Sequence, residues 1–200
     1  MEQMSEKDIL TYLRENIEPL EKFYGASYRA SVYLVDGLYL PCVVFRNPNQ
    51  IVEFAMKRFE KEQSGQSIFR NHPDGYKETV KSLVTTGNCI NVYDIARVEK
   101  SKCAFPVSIL KQIRGETSMG WTGFSAKMKD GKYLGFGTTL YFDFFHMPDN
   151  YTVEDIDEII NNSYVLKTGE LWSYKRGTDN YKDAVVYRER PFFECYIDDL

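Results

Sequence analysis

Tyr141, Asp143 and His146 lie close together near the end of an alternating run and are the residues best placed to do chemistry. A carboxylate near a histidine can tune a general base, and Trp121 lies across the sheet from them. Tyr141 and Asp143 share one strand face by parity, whereas His146 falls on the opposite parity. The same trio also reads as a strand end whose Asp satisfies loop amides.

Other chemistries lack their signatures. The two histidines, His72 and His146, sit in no HExxH motif, and Cys42, Cys89, Cys103 and Cys195 form no CxxC pair. No metal site is therefore expected. Gly135-Phe136-Gly137 is a GxG inside a strand, without the strand–turn–helix context of a dinucleotide fingerprint, and GxxxxGK[ST] and GxSxG are absent. No cofactor is expected, and the balance leans away from an enzyme.

The residues of interest cluster in the stretch from Glu116 to His146, which has a two-residue rhythm. Thr122, Phe124, Ala126, Met128, Leu134, Phe136, Thr138, Leu140, Phe142 and Phe144 form one apolar face. A two-residue turn at Asp130-Gly131 would mix the faces. A three-residue loop, Lys129-Asp130-Gly131, keeps them consistent and puts Gly131 at the left-handed position of a bulged turn. Phe124 then faces Phe136, Gly123 faces Gly137 and Ser125 faces Gly135. Glycine inside a strand often marks a close backbone approach. The reverse face is thus a notch of tiny residues, walled by Trp121, Lys127 and Tyr133, that could hold a packed helix, a ligand or a partner's chain. Trp121, Ser125, Lys127 and Tyr133 are candidate binding residues.

A second candidate patch is Trp172, Tyr174, Lys175 and Arg176, where aromatics interleave with bases. Such a run can stack on single-stranded bases or meet an acidic partner, and Tyr, Trp and Arg dominate protein interfaces. Charge is uneven along the chain. Residues 100 to 132 are rich in Lys and Arg, while Asp149, Glu154, Asp155, Asp157 and Glu158 come after them without a base.

The elements that must position these residues are read from periodicity. Helices are expected near 5–24, capped by Ser5 and interrupted at Pro19; near 48–63, opened by Asn47-Pro48; near 106–113; and near 152–162, capped by Thr152 with Val153, Ile156, Ile159 and Ile160 inward. The 48–63 helix should bury Val52, Ala55, Met56 and Phe59. A second hairpin over 29–46 turns at Val35-Asp36-Gly37, both its faces rather apolar, with Pro41 beside an edge or at a bulge. Residues 64–76 read as a long loop, 77–86 as a short helix, and 89–100, 164–174 and 184–190 as strands. The whole reads as a single α+β domain over 1–200 with a mainly antiparallel twisted sheet.

The 200 residues are ample for a core. A hydrophobic content of 43% and a charged content of 27% are ordinary, but 15 Tyr and 13 Phe make the chain rich in aromatics. A net charge of −4 argues against a general nucleic-acid coat. With no signal-peptide pattern, no membrane-length apolar run and scattered cysteines, a cytoplasmic protein is expected. The functional expectation is a macromolecule-binding protein, of inhibitor or immunity type, meeting a protein partner through an aromatic, charge-asymmetric surface. The alternative is an enzyme or binder acting on a nucleotide or nucleic acid at the polar face of hairpin 116–146. The oligomeric state is left open.

Overall fold

In the computed structural model, which describes residues 1–22, 25–63, 88–139, 141–174 and 183–200, most regular structure is in three sheets. The chain begins with α1 (Glu6–Asn16), β1 (Leu20–Lys22), β2 (Gly25–Leu34), β3 (Tyr39–Arg46) and α2 (Pro48–Gln63). Next come β4 (Cys89–Ile90), β5 (Ile95–Lys100), a single helical turn α3 (Val107–Leu110), β6 (Thr122–Met128) and β7 (Tyr133–Thr138). It ends with β8 (Ile156–Asn161), β9 (Ser163–Leu166), β10 (Leu171–Ser173), β11 (Ala184–Val185), β12 (Tyr187–Arg188) and β13 (Phe193–Tyr196). The expected 64–76 loop and 77–86 helix lie outside the described residues.

The chain divides into two compact units, Met1–Lys100 with Phe192–Leu200, and Ser101–Pro191, at positions where the sequence showed no linker. The first unit holds one sheet in the order β1-β2-β3-β13-β4, with β5 also pairing β2. Its ladders are antiparallel except where β13 runs parallel to β3 and β4. Ser5 caps α1, its hydroxyl accepting the Asp8 amide at 3.2 Å. The helix stops at Ile17 rather than reaching residue 24, because Pro19 cannot continue it and the chain turns into β1. Ile9 and Leu13 enter the core beside Val32, Val43, Phe45 and Ile95.

The hairpin of this unit runs over 25–46, somewhat longer than expected, with Leu34 donating to the Leu38 carbonyl across a three-residue loop. Its register shifts between Ala30 and Val32, opposite Pro41. One face is not apolar, contrary to expectation. Ser27, Arg29 and Ser31 are buried there, and Arg46 meets Glu194 at 2.7 Å with both side chains largely enclosed. In α2, Ala55 is buried as expected, but Val52 and Met56 are about half exposed, and the Phe59 side chain lies outside those described.

The second unit stacks two sheets, β12-β7-β6-β8 and β10-β9-β11. In the β6–β7 hairpin, Phe124 pairs with Phe136, Ser125 with Gly135 and Gly123 with Gly137. The turn is the three-residue Lys129–Gly131 loop, closed by the Met128 amide on the Lys132 carbonyl at 2.8 Å, and Gly131 has a φ of 87°. The paired segment spans 122–138 rather than 116–146, because β7 ends at Thr138. Phe105, Phe124, Phe136 and Phe145 form the core on the apolar face, with ring centroids 4.8 to 6.3 Å apart.

The expected 152–162 helix is a strand. Thr152 and Asp155 do form a capping box, but it closes a single 3-10 turn, Val153–Asp155. The chain then enters β8. The helical spacing of Ile156 and Ile159 has another cause. Met128 pairs with Ile156 and Ala126 with Ile159, and the register shift between them inserts one extra residue in β8. A β-bulge thus puts two residues three apart on one strand face, where an unbroken strand would separate them. The 106–113 helix shrinks to the one turn of α3 followed by turns. The 89–100 strand is interrupted by a 3-10 turn at Val92–Asp94. The 164–174 strand is a hairpin, β9–β10, turning at Gly169.

Candidate functional site

The glycine–serine notch is filled by the chain itself. Strand β9 crosses it, and the Ser163 and Ser125 hydroxyls are hydrogen-bonded at 2.8 Å, with Ser125 fully buried. A Cβ on Gly135 would stand 2.6 Å from the Val185 carbonyl oxygen and 3.3 Å from the Val165 amide nitrogen. A Cβ on Gly137 would stand 2.0 Å from Trp121 Cζ2. The indole thus lies flat where a side chain would be, and the Arg188 guanidinium sits 5.0 Å from its ring centroid. Ser125 is out of reach of any partner, and Trp121 is half-buried and engaged. Lys127 is taken up by Asp157 at 3.6 Å, and Tyr133 is half-buried.

Burial also separates the chemical trio. Asp143 is fully enclosed, whereas Tyr141 is 53% exposed and His146 is exposed. Tyr141 is held by its backbone, donating to Thr138 Oγ1 and accepting from the same hydroxyl. The His146 amide donates to the Arg188 carbonyl at 2.9 Å. Partial burial, then the charge of Arg190, hold the His146 imidazole below its ordinary 6.5. Nearby Glu189 goes the other way from what its burial favours. Desolvation raises its pKa, but hydrogen bonding from Arg188 and Thr139 outweighs that and keeps the carboxyl below its usual range. Among the described residues no group of three or more His, Cys, Asp or Glu is placed to hold a metal. No helix among them is long and apolar enough to cross a membrane.

In the second patch, Trp172 stands on β10 opposite Tyr164 and is 51% exposed, while Tyr174 is half-buried with its amide on the Asn162 carbonyl. Lys175 and Arg176 lie outside the described residues.

The most built surface lies instead on the loop between α3 and β6, residues 111–121, of which the sequence had pointed to Trp121 alone as a binding residue. Asn161 holds its first half: its Oδ1 accepts the Arg114 amide at 2.8 Å and its Nδ2 donates to the Gln112 carbonyl at 2.8 Å. Thr117 holds the second half, its hydroxyl accepting the Gly123 amide at 2.8 Å and lying 3.3 Å from Asn162 Oδ1. The tip closes as a tight turn in which Trp121 donates to the Ser118 carbonyl and Thr117 donates to the Trp121 carbonyl. Gly120 at the tip has a φ of 72°, which favours a residue without Cβ, and its amide reaches Glu116 Oε2 at 3.4 Å. Met119 is thereby held out into solvent, 94% exposed. Beside the loop is an open depression of about 280 Å³, lined by Ile113, Gly115, Glu116, Thr122, Thr139 and Phe142. No protein-family model, no curated protein and no solved structure matches this chain.

Proposed function

We propose that the chain is a macromolecule-binding protein, of inhibitor or immunity type, whose contact surface is the 111–121 loop together with the adjoining depression and Tyr141. The observation that carries this reading is Met119, exposed at 94% on a loop whose backbone is tied down by Asn161 and Glu116 and whose Thr117 side chain rests on Asn162. A mobile loop loses conformational freedom on binding, and a tied one loses little, so affinity is gained without new contacts. A flexible, apolar methionine suits a surface that must fit irregular partner contours. Tyr141, next along from Thr139 and Leu140, adds a half-exposed aromatic of the kind that anchors interfaces.

The alternative, a nucleotide or nucleic-acid site on the polar face of the central hairpin, meets an occupied surface, because β9 and the Trp121 indole already fill it.

A displayed random-peptide library selected against the intact chain tests the reading. Enriched clones should lose binding to Met119→Glu and Tyr141→Ala variants, both at exposed positions that leave the fold intact. Clones that bind all three proteins equally, or no enrichment at all, would place recognition elsewhere.

A further inference from the structure

We infer that the segment this surface receives is acidic and carries one large apolar side chain as its anchor, an inference that rests on the docking role of the 111–121 loop. The depression sets the first half. At about 280 Å³ it lies just below the roughly 300–1,000 Å³ typical of small-molecule sites, and it is open rather than enclosed. Ile113 and Phe142 give it apolar walls. Such a hollow suits one side chain of a longer chain, with the neighbouring residues passing over its rim.

Charge sets the second half. Lys111 and Arg114 flank Ile113, both exposed, and neither makes an ion pair with any described residue. Their neighbours differ: Lys127 is matched by Asp157, and Lys132 by Asp130. Of the carboxylates beside the hollow, one is matched by a cation and one, Glu116, keeps its negative charge on the wall. Glu116 turns its Oε2 toward the Gly120 amide, and Glu189 is held by Arg188 and Thr139. The backbone that carries the two cations is fixed, since the Arg114 amide and the Gln112 carbonyl are both bound by Asn161. In a chain of net charge −4, a pair of cations on a rigid lip, unmatched among the described residues, is the complement of an acidic strip. A nucleic acid fits less well. Its affinity comes from neutralising many phosphates, about 6–10 in a typical site, and this lip offers two cations.

The library selection, repeated at low and at moderate salt, reads this out. Clones enriched on the intact chain should carry an excess of Asp and Glu around one Leu, Phe or Trp. Their affinity should fall about tenfold or more on the Lys111→Glu, Arg114→Glu double variant and should weaken with salt. Selection on that double variant should instead enrich basic clones. Circular dichroism of the variant guards against misfolding, which is not expected at two exposed side chains. Clones that depend on Met119 and Tyr141 but show no acidic excess, and no response to charge reversal, would overturn the acidic partner while leaving the docking surface standing. Oligothymidylate binding tighter than any clone and lost on charge reversal would assign the lip to nucleic acid instead. Clones lacking a large apolar residue would overturn the anchor.

Discussion

Replacing Gly135 by alanine tests whether the notch is closed by the chain's own strands. The added methyl would stand 2.6 Å from the Val185 carbonyl oxygen and 3.5 Å from Val165 Cβ. Carbon–oxygen contacts settle near 3.3–3.6 Å, so the sheets must part locally by about 0.7 Å or more. The obstacle is backbone, which cannot swing aside as a side chain would. Overpacking of this kind costs about 1–3 kcal/mol, and the intrinsic gain of alanine over glycine in a strand returns roughly 0.5–1 kcal/mol. The net loss should centre near 1 kcal/mol, with an upper end of about 2.5 kcal/mol. Both tryptophans, Trp121 and Trp172, belong to the Ser101–Pro191 unit, so their fluorescence in a urea titration reports that unit alone. With a urea slope of about 1–3 kcal/mol per molar, a loss near 1 kcal/mol lowers the midpoint by roughly 0.3–1 M. Gly137→Ala is the contrasting variant, because there the methyl meets the Trp121 indole rather than backbone. It should shift the native tryptophan emission as the ring leaves Arg188. A Gly135→Ala midpoint at or above that of the parent would refute the closed notch and return that face to consideration as a ligand site.

Three further outcomes rest on single features. Glu194→Ala should destabilise the other unit by about 3–5 kcal/mol, because it removes the carboxylate paired with the largely enclosed Arg46 side chain. The loss should show in far-ultraviolet circular dichroism melts, and an unchanged melt would mean that the pair is solvated. Burial pushes the Cys195 thiol up to about 12, while Cys89 is exposed, so a colorimetric thiol reagent on the native chain should have a fast phase that Cys89→Ser removes and Cys195→Ser leaves. The His146 imidazole should titrate below 6.5 by NMR, with His146→Gln to assign it, and Arg190→Gln should move the midpoint up. Since folding lowers this pKa, the stability linked to His146 is present above pH 6.5 and is lost as pH falls through the lower folded value. A midpoint at or above 6.5 would contradict the burial and charge that place it lower.

Features that depend on near neighbours in sequence were readable before the fold. Alternation alone selects the three-residue loop at Gly131 and so the pairing of Phe124 with Phe136, since any odd slip would put phenylalanine into water. Ser5 and Asn47 announce their helices because a cap acts within three residues, and Asn47 Oδ1 does accept the Asn49 amide at 2.9 Å. Thr152 announced an element equally well but not its length. The box at Thr152 and Asp155 is satisfied by one turn, and the conformation of residues 156–161 is decided by β6, which offers Ala126 and Met128 as partners to Ile159 and Ile156. A bulge has no local signature that separates it from helical periodicity over so few residues. The buried polar face of the first sheet was hidden for a similar reason. Arg46 reads as a surface residue until β13 brings Glu194 beside it from the other end of the chain.

Only Trp121 of the candidate site was legible, because the site's rigidity comes from residues far along the chain, yet it depends on the notch of small residues in the central hairpin. Gly135 lets β9 lie close on the β6–β7 hairpin, with the Val165 amide nitrogen 3.3 Å from where a Cβ would stand, while at Gly123 the Ser163 carbonyl comes only to ordinary contact at 3.6 Å. The turn that leads into β9 is Asn161-Asn162, and Asn162 takes a φ of 51°, which asparagine tolerates better than most residues. That sharp turn leaves the Asn161 side chain on Arg114 and Gln112 and the Asn162 side chain against Thr117. Thr117 in turn binds Gly123 itself, closing the circuit between loop and hairpin. The small residues therefore act one step removed from recognition. They let a strand approach, the strand's entry turn fixes the loop, and the loop holds Met119 out beside the hollow.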